Sequence, residues 1–102
     1  MHDAIARHKP AITNICQRFH IKRLEVFGSA ARATDFNPDK SDVDFLVEFS
    51  SDAGNGFRNF FDAKTALENE LGRCVDLIEV GSIQNPFVLA TINAGKEPLY
   101  AA

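Results

Sequence analysis

Apolar residues recur along the chain at two spacings, one typical of helices and the other typical of strands. In the first twenty residues they follow helical spacing: Ile5, Ile12, Ile15, Cys16 and Phe19. Pro10 interrupts this series, and proline lacks the amide hydrogen that a helix interior requires. The pattern therefore predicts a short leading helix and a second helix from about Pro10 to His20.

Three later segments, residues 22–27, 42–49 and 74–80, alternate apolar and polar residues with the period of two that is typical of strands. Successive side chains of a strand point to opposite faces, so the second segment divides into two sets. One set is apolar and the other is largely acidic: Val43, Phe45, Val47 and Phe49 against Asp42, Asp44, Leu46 and Glu48. In the third segment Asp76 shares a face with Ile78 and Val80.

Helical signals lie between these segments. Good helix formers occupy residues 29–33, an amphipathic pattern spans residues 57–71, and Asn85 followed by Pro86 marks a helix that ends at Gly95. One stripe of the middle helix is expected to face the core: Phe57, Phe60, Phe61, Lys64, Leu67 and Leu71. An alternative for part of the phenylalanine cluster is an exposed surface that binds a partner. The order of elements predicts an α/β (α+β) fold in which a small mixed β-sheet of three or more strands is flanked by helices.

The composition is that of one globular domain: 102 residues, 45% of them hydrophobic and 25% charged. A chain of this size buries only about 60–65% of its unfolded surface, so it builds one modest core. We therefore predict a single domain over residues 1–102. A second substrate would have to be held on a small surface or be presented by a partner.

The net charge of −3 is unevenly distributed. Residues 1–34 carry six basic and two acidic side chains, whereas residues 35–50 carry five acids and one lysine. Nucleic-acid binding depends on many basic contacts to phosphates, so we expect no direct binding of nucleic acid. No segment is apolar enough to span a membrane.

Cys16 and Cys74 lack further ligands at metal-site spacing, and we expect them to be reduced core residues of a cytoplasmic protein.

Two polar motifs stand at the ends of the predicted strands. Gly28-Ser29 follows the first strand, and the pair Asp42-x-Asp44 opens the second. Glycine lets an anion approach the backbone, and a helix N-terminus attracts negative charge, so the first motif suits a phosphate group. The two aspartates share a face and repel each other unless a cation lies between them. Mg²⁺ prefers one or two carboxylates plus substrate phosphates. Together the motifs indicate chemistry on a nucleoside triphosphate.

Each motif also has a structural interpretation. A Gly-Ser pair after a strand is commonly a turn, and an Asp-x-Asp pair is commonly a solvated strand face. Asp35, Asn37 and Asp39 copy the first three ligand positions of an EF-hand calcium loop. Lys40 and Leu46, however, replace the glycine and the glutamate that this loop requires. An EF-hand is therefore excluded.

The two motifs and the segment between them resemble the signature of the minimal nucleotidyltransferase (MNT) family, within the DNA polymerase β-like nucleotidyltransferase superfamily. The resemblance is carried by VFGSAARA at residues 26–33 and SDVDFLV at residues 41–47. It extends to the third strand and to residues 98–102, and so covers nearly the whole chain. One departure is the spacing from Ser29 to Asp42, which is longer than is common in the family. The additional residues fall in the predicted loop 34–40.

The resemblance implies roles for particular residues. Gly28 and Ser29 would bind the phosphates of ATP, and Arg32 would reach a phosphate or an acidic group of a partner. The catalytic and Mg²⁺-binding carboxylates would be Asp42, Asp44 and Asp76. If the resemblance is set aside, Asp76 is interpreted as an isolated acid on a strand and Arg32 as an ordinary surface residue.

The resemblance also implies a partner. Members of the family are similar to antitoxins that transfer AMP from ATP to a tyrosine of a HEPN-domain RNase toxin and thereby neutralise it. We expect the same activity here, in a hetero-oligomer with the toxin. One alternative is a catalytically inactive antitoxin that neutralises by binding alone, which the longer loop suggests. Another is transfer to a small molecule such as an aminoglycoside, but enzymes of that kind add a further domain for the acceptor.

Overall fold

The computed structural model describes residues 2–28, 42–51 and 56–102, and within them four strands form one mixed sheet. The strands are β1 (Ile21–Phe27), β2 (Val43–Phe49), β3 (Val75–Glu79) and β4 (Glu97–Ala101). Their order across the sheet is β3-β2-β1-β4. β1 is antiparallel to both β2 and β4, whereas β2 and β3 are parallel. The predicted mixed sheet is confirmed, with β4 as an additional strand.

Four helices are described beside this sheet. They are α1 (Asp3–Ala6), α2 (Lys9–Arg18), α3 (Gly56–Leu71) and α4 (Pro86–Gly95). Pro10 lies in the first turn of α2, where its missing amide hydrogen is not needed. The predicted division of the N-terminal segment into two helices is therefore confirmed. The predicted helix at residues 29–33 and the predicted loop 34–40 lie outside the described residues.

One face of the sheet packs against α2 and α3 to form the core. The alternation along β2 is as predicted, because Val43, Phe45 and Val47 are fully buried. They meet buried side chains of the neighbouring strands and helices: Ile12, Ile15, Cys16, Leu24, Val26, Ala63, Leu67 and Val75. Polar contacts hold α3 in place, among them a hydrogen bond of 2.6 Å from Asn59 Nδ2 to the Phe19 carbonyl oxygen. The predicted strand pattern thus places the core on one side of the sheet and leaves the acidic face of β2 on the other.

The first turns of α3 differ from the prediction. Phe60 packs partly against the core, but Phe57 is 77% exposed and Phe61 is 47% exposed. Their rings contact each other with a centroid distance of 5.0 Å and line a groove beside β3, which is an edge strand of the sheet. In this part of α3 the fully buried residue is Ala63 rather than Phe57 or Phe61. The expected core position is therefore confirmed for Phe60 alone, and Phe57 and Phe61 follow the alternative of an exposed surface, because this end of the helix lies at the margin of the sheet.

The acidic face of the sheet is partly covered by α4. This helix begins as predicted: the Asn85 side chain accepts hydrogen bonds from the amides of Phe87 and Val88 at 2.9 and 3.3 Å. Ile92 is its one buried residue. Just after the helix, Lys96 Nζ donates to Glu25 Oε1 at 3.1 Å, and Glu25 is only 8% exposed. This ion pair joins the end of α4 to β1, one of the two interior strands of the sheet.

The strand β4 was not predicted, because it contains Pro98 and is short. A proline removes a backbone donor and is tolerated in sheets mainly at an edge. Pro98 lies opposite Glu25 on a strand that forms one edge of the sheet.

None of the described helices is long and apolar enough to cross a membrane.

The two cysteines lie in different environments. Cys16 is fully buried in the core as expected, but Cys74 is exposed. The expectation for Cys74 is wrong because this residue precedes β3, just after the turn at Gly72 that ends α3. Both thiols are free. Burial raises the pKa of the Cys16 thiol to about 12.

We expect a thiol reagent such as DTNB to modify one cysteine of the native protein rapidly and the second only after unfolding. The thiolate is the reactive form, and Cys16 is both inaccessible and held protonated. The measurement is the time course of absorbance with and without denaturant. Cys74→Ser should remove the fast phase and leave the slow one. Two fast thiols in the native protein would contradict this assignment.

Candidate active site

The site begins at Gly28, where the chain leaves β1. The φ angle of Gly28 is 72°, in the left-handed region that glycine adopts without steric cost. A Cβ atom built on this residue would lie 2.5 Å from Asp44 Oδ2. No real side chain tolerates such a distance, so any larger residue must displace the carboxylate. The backbone of residue 28 and the Asp44 carboxylate therefore lie in direct proximity, as the two sequence motifs require.

Asp44 and Asp76 lie side by side in the sheet. The register pairs Phe27 with Asp44 on β2, and Asp44 with Asp76 on the parallel strand β3. Adjacent strands are about 4.8 Å apart, and paired residues of a sheet point to the same face. Asp44 is half-buried and Asp76 is exposed. The structure thus brings together Gly28, Asp44 and Asp76 at one edge of the acidic face.

Asp42 is less closely tied to this arrangement. It lies immediately before β2 rather than within it, and its side chain is exposed. The predicted strand therefore begins one residue too early. The amide of Val43 donates to the Cys74 carbonyl oxygen at 3.2 Å, which joins the start of β2 to the start of β3. Ser29 and Arg32 lie outside the described residues, and their roles remain predictions.

The carboxylates fit a hard divalent cation that is shared with a substrate. Among the described residues no three His, Cys, Asp or Glu side chains are grouped closely enough to hold a metal ion by themselves. Asp44 and Asp76 are nevertheless adjacent, and carboxylate oxygens are the ligands that Mg²⁺ prefers. Mg²⁺ usually takes one or two carboxylates and completes its coordination with substrate phosphates and water. The donor set therefore fits a metal that binds together with a phosphorylated substrate.

An apolar groove adjoins these carboxylates. Its volume is about 630 Å³, and its walls include Phe27 and Gly28 of the site, Ile78 of β3, and residues of α4. The sequence predicts α4 but no functional role for it, although its apolar residues are a recognisable signal. Phe87, Val88 and Leu89 are consecutive, and all three are substantially exposed.

The chain matches one protein-family model, described as the nucleotidyltransferase domain, over residues 9–96. A relative from Methanocaldococcus jannaschii that is named as a protein adenylyltransferase is 33% identical over 90 residues. That alignment covers 88% of this chain and 85% of the relative. A second relative from the same organism, named in the same way, is 32% identical over the same shares.

Solved structures have the same fold. One that is described as a minimal nucleotidyltransferase superposes with a TM-score of 0.77 at 28% identity, covering 96% of each chain. Another is a complex from Shewanella oneidensis in which a tri-AMPylated HEPN toxin is bound to an MNT antitoxin. It has a TM-score of 0.65 at 15% identity, with coverage of 95% of this chain and 72% of the other. At that identity the likeness is one of fold.

We expect Asp76→Asn to raise the free energy of unfolding by up to about 1 kcal/mol in the absence of divalent cations. The substitution removes one of two neighbouring like charges, which destabilise a sheet when they lie opposite each other. Chemical denaturation in buffer containing EDTA measures this change.

Added MgCl₂ should then stabilise the wild type more than the variant, because ligands that bind the native state stabilise it. NaCl at matched ionic strength controls for screening. Glu79→Gln, which removes an exposed acid from the same strand, is the control variant. An equal response to MgCl₂ in the wild type and in Asp76→Asn would show that this carboxylate takes no part in cation binding.

Proposed function

This chain belongs to the nucleotidyltransferase domain family, and on that premise we propose that it transfers AMP from ATP to a hydroxyl group of a partner protein. We propose further that the reaction requires Mg²⁺, that the partner is a HEPN-domain toxin, and that the hydroxyl is that of a tyrosine. The protein would then act in the cytoplasm as the antitoxin of this toxin. The free cysteines agree with a reducing compartment.

One observation carries the proposal: the Asp44 carboxylate lies against the backbone of a left-handed glycine and beside a second carboxylate. Gly28 leaves its main chain bare, and the Asp44 carboxylate fills the space that a Cβ atom would occupy. Asp44 and Asp76 supply negative charge that a divalent cation would neutralise. A triphosphate bound with its cation would match both features, the bare main chain of Gly28 and the two neighbouring carboxylates.

The proposed reaction is a substitution at the α-phosphorus of ATP. The acceptor oxygen forms a bond to that phosphorus while the bond to the oxygen bridging the α- and β-phosphates breaks. Pyrophosphate leaves, the hydroxyl proton is released, and AMP remains on the acceptor. Mg²⁺ supplies charge stabilisation for the attacking and leaving oxygens when it is bound.

The residues divide into two groups by role. Gly28 and Ser29 would bind the phosphates, with Arg32 as a further cationic contact. Asp42 and Asp44 would hold the cation on the triphosphate, and Asp76 would contribute on the side where the acceptor hydroxyl enters. The exposure of Asp76 suits this last role, because an acceptor presented by another protein must approach from solvent.

The similar proteins support a protein partner. The M. jannaschii relatives are named as protein adenylyltransferases, and the S. oneidensis complex contains an AMPylated HEPN toxin together with an MNT antitoxin. These comparisons favour a protein acceptor over a small molecule.

We expect Asp44→Asn to reduce AMP transfer by at least about 100-fold, because it removes a negative charge from the cation site. The assay combines the protein with ATP labelled at the α-phosphate, MgCl₂ and the HEPN-domain protein of the same genome. Glu48→Gln is the matched control, since it removes an acid from the same face of β2 away from the site. No label transfer by the wild type with any divalent cation would refute the proposed activity.

A comparison of Gly28→Ala with Gly72→Ala separates backbone strain from displacement of the carboxylate. Both glycines have left-handed φ angles, 72° and 67°, so each substitution should cost about 1–2 kcal/mol of stability. Only at Gly28 does the added methyl group collide with Asp44 Oδ2, because nothing lies within 4 Å of the corresponding position at Gly72. We expect Gly28→Ala alone to lose transfer activity. Equal activity of the two variants would contradict the role of the Gly28–Asp44 proximity.

The toxin-protection assay distinguishes catalysis from neutralisation by binding alone. Cells that produce the HEPN-domain protein are supplied with either the wild type or Asp44→Asn. If transfer is the mechanism, the variant fails to protect although it is folded and present at equal level. If the variant protects as well as the wild type does, the chain acts as a non-catalytic antitoxin.

A further inference from the structure

The outer edge of β3 presents backbone groups that the four-stranded sheet does not use. The amide of Val43 donates to the Cys74 carbonyl oxygen at 3.2 Å, and the amide of Val80 donates to the Val47 carbonyl oxygen at 2.8 Å. Backbone groups of successive strand residues point to opposite sides, so the even-numbered residues along β3 bond to β2. The amides and carbonyls of its odd-numbered residues therefore point away from β2, and no described strand lies beyond them.

Two of these outward groups have partners within the chain. The amide of Val75 donates to Glu68 Oε2 at 3.1 Å. The carbonyl oxygen of Glu79 accepts from the amide of Ser82 at 3.1 Å and from its hydroxyl at 2.7 Å. These contacts protect the two ends of an edge that is otherwise available for pairing. Four groups between them have no partner among the described residues: the Val75 carbonyl, the Leu77 amide, the Leu77 carbonyl and the Glu79 amide.

The four open groups are complementary to themselves under a twofold rotation. If two copies of β3 pair antiparallel with Leu77 opposite Leu77, each Leu77 amide meets the Leu77 carbonyl of the other copy. Each Glu79 amide then meets the Val75 carbonyl of the other copy, which gives four contiguous hydrogen bonds. The occupied groups, the Val75 amide and the Glu79 carbonyl, face each other at the two ends. A shift of two residues in either direction would place an open group opposite an occupied one.

An apolar groove runs beside the open part of this edge. Its volume is about 410 Å³, and its walls include Phe57 and Phe61 of α3 together with Leu77 and Glu79, the two residues that carry the open amides. Paired residues of a sheet point to the same face, so the Leu77 side chain of a second copy would enter on this side. Burial of the exposed phenylalanine rings and hydrogen bonding at the edge thus favour the same contact.

The charges along β3 allow this pairing. Asp76 of one copy would lie opposite Ile78 of the other, and Glu79 opposite Val75. Like charges that lie directly opposite each other destabilise a sheet, and the register centred on Leu77 avoids them. The second copy would be added in the plane of the sheet, so it would not cover the acidic face on which Asp76 lies.

We propose that the outer edge of β3 is a dimerisation surface whose occupant is a second copy of this chain, paired antiparallel about Leu77. The product is a continuous eight-stranded sheet with a twofold axis at its centre. A segment of a different protein would also find open groups along this edge, but the match between the occupied groups at both ends is specific to self-pairing. The proposal is independent of the proposed function, because it involves no nucleotide, cation or acceptor.

The first test is the oligomeric state of the intact protein without nucleotide or divalent cation. Analytical ultracentrifugation over a concentration series should show a species with twice the mass of one chain. Amide hydrogen exchange, followed residue by residue by NMR, should show that the Leu77 and Glu79 amides become protected as the concentration rises. The Val75 amide should change little, because it is bonded to Glu68 within each chain.

Two pairs of variants locate the contact. Glu79→Pro and Glu79→Ala both remove the exposed carboxylate, but only proline removes the open amide hydrogen. Phe57→Glu and Phe87→Glu both place a charge at an exposed phenylalanine in the second position of a helix, but only Phe57 lies beside β3. We expect Glu79→Pro and Phe57→Glu each to raise the dimer dissociation constant at least about tenfold relative to its control, since each change occurs twice in the dimer. Circular dichroism establishes that each variant is folded, and the Phe57 pair decides the question if Glu79→Pro is not.

Three results would overturn the proposal. A single chain at all concentrations up to about 1 mM would show that the edge does not pair with itself. A dimer that Phe57→Glu and a folded Glu79→Pro both leave intact would place the contact on another surface. If the chain alone is a monomer and Glu79→Pro weakens its binding to the HEPN-domain protein, the edge takes a segment of that protein instead.

Discussion

The Asp44 carboxylate occupies the space that a side chain at residue 28 would need. This steric constraint favours glycine directly after β1, because glycine leaves the carboxylate in place and also accepts the left-handed backbone. It also keeps the main chain next to the carboxylate, so the phosphate proposed to bind one would lie close to the cation proposed to bind the other. The rest of the sheet maintains this proximity by fixing the register of the three strands that meet there.

The core and the site are linked by the alternation of β2. Val43 and Phe45 are fully buried on one face, and Asp44 lies between them on the other. A slip of one residue would bury the carboxylate and expose both apolar side chains, which makes the register strongly specified. The hydrophobic free energy of the core therefore also positions the acid. Stability and the proposed chemistry depend on the same seven-residue strand.

Much of this architecture could be predicted, and the failures have physical causes. Period-two alternation predicted β1, β2 and β3, because each buries one face, and Asn85 with Pro86 predicted the start of α4 from capping chemistry. β4 was missed because Pro98 suits only an edge strand, and edges are a property of the assembled sheet. Periodicity placed Phe57 on the inner stripe of α3 but could not show where the sheet ends. The apolar groove beside Gly28 lies between a helix and strands that are distant from it in sequence, which no local pattern encodes.

The pairing of β1 with β4 has a consequence for synthesis of the protein on the ribosome. The central strand is completed early, at residue 27, but one of its two neighbours consists of residues 97–101. Until those residues emerge, the backbone amides and carbonyls along that side of β1 have no strand to bind. An open edge of this kind invites pairing with other nascent chains. The emergence of residues 97–101 therefore closes the sheet, and the Glu25–Lys96 ion pair forms in the same step.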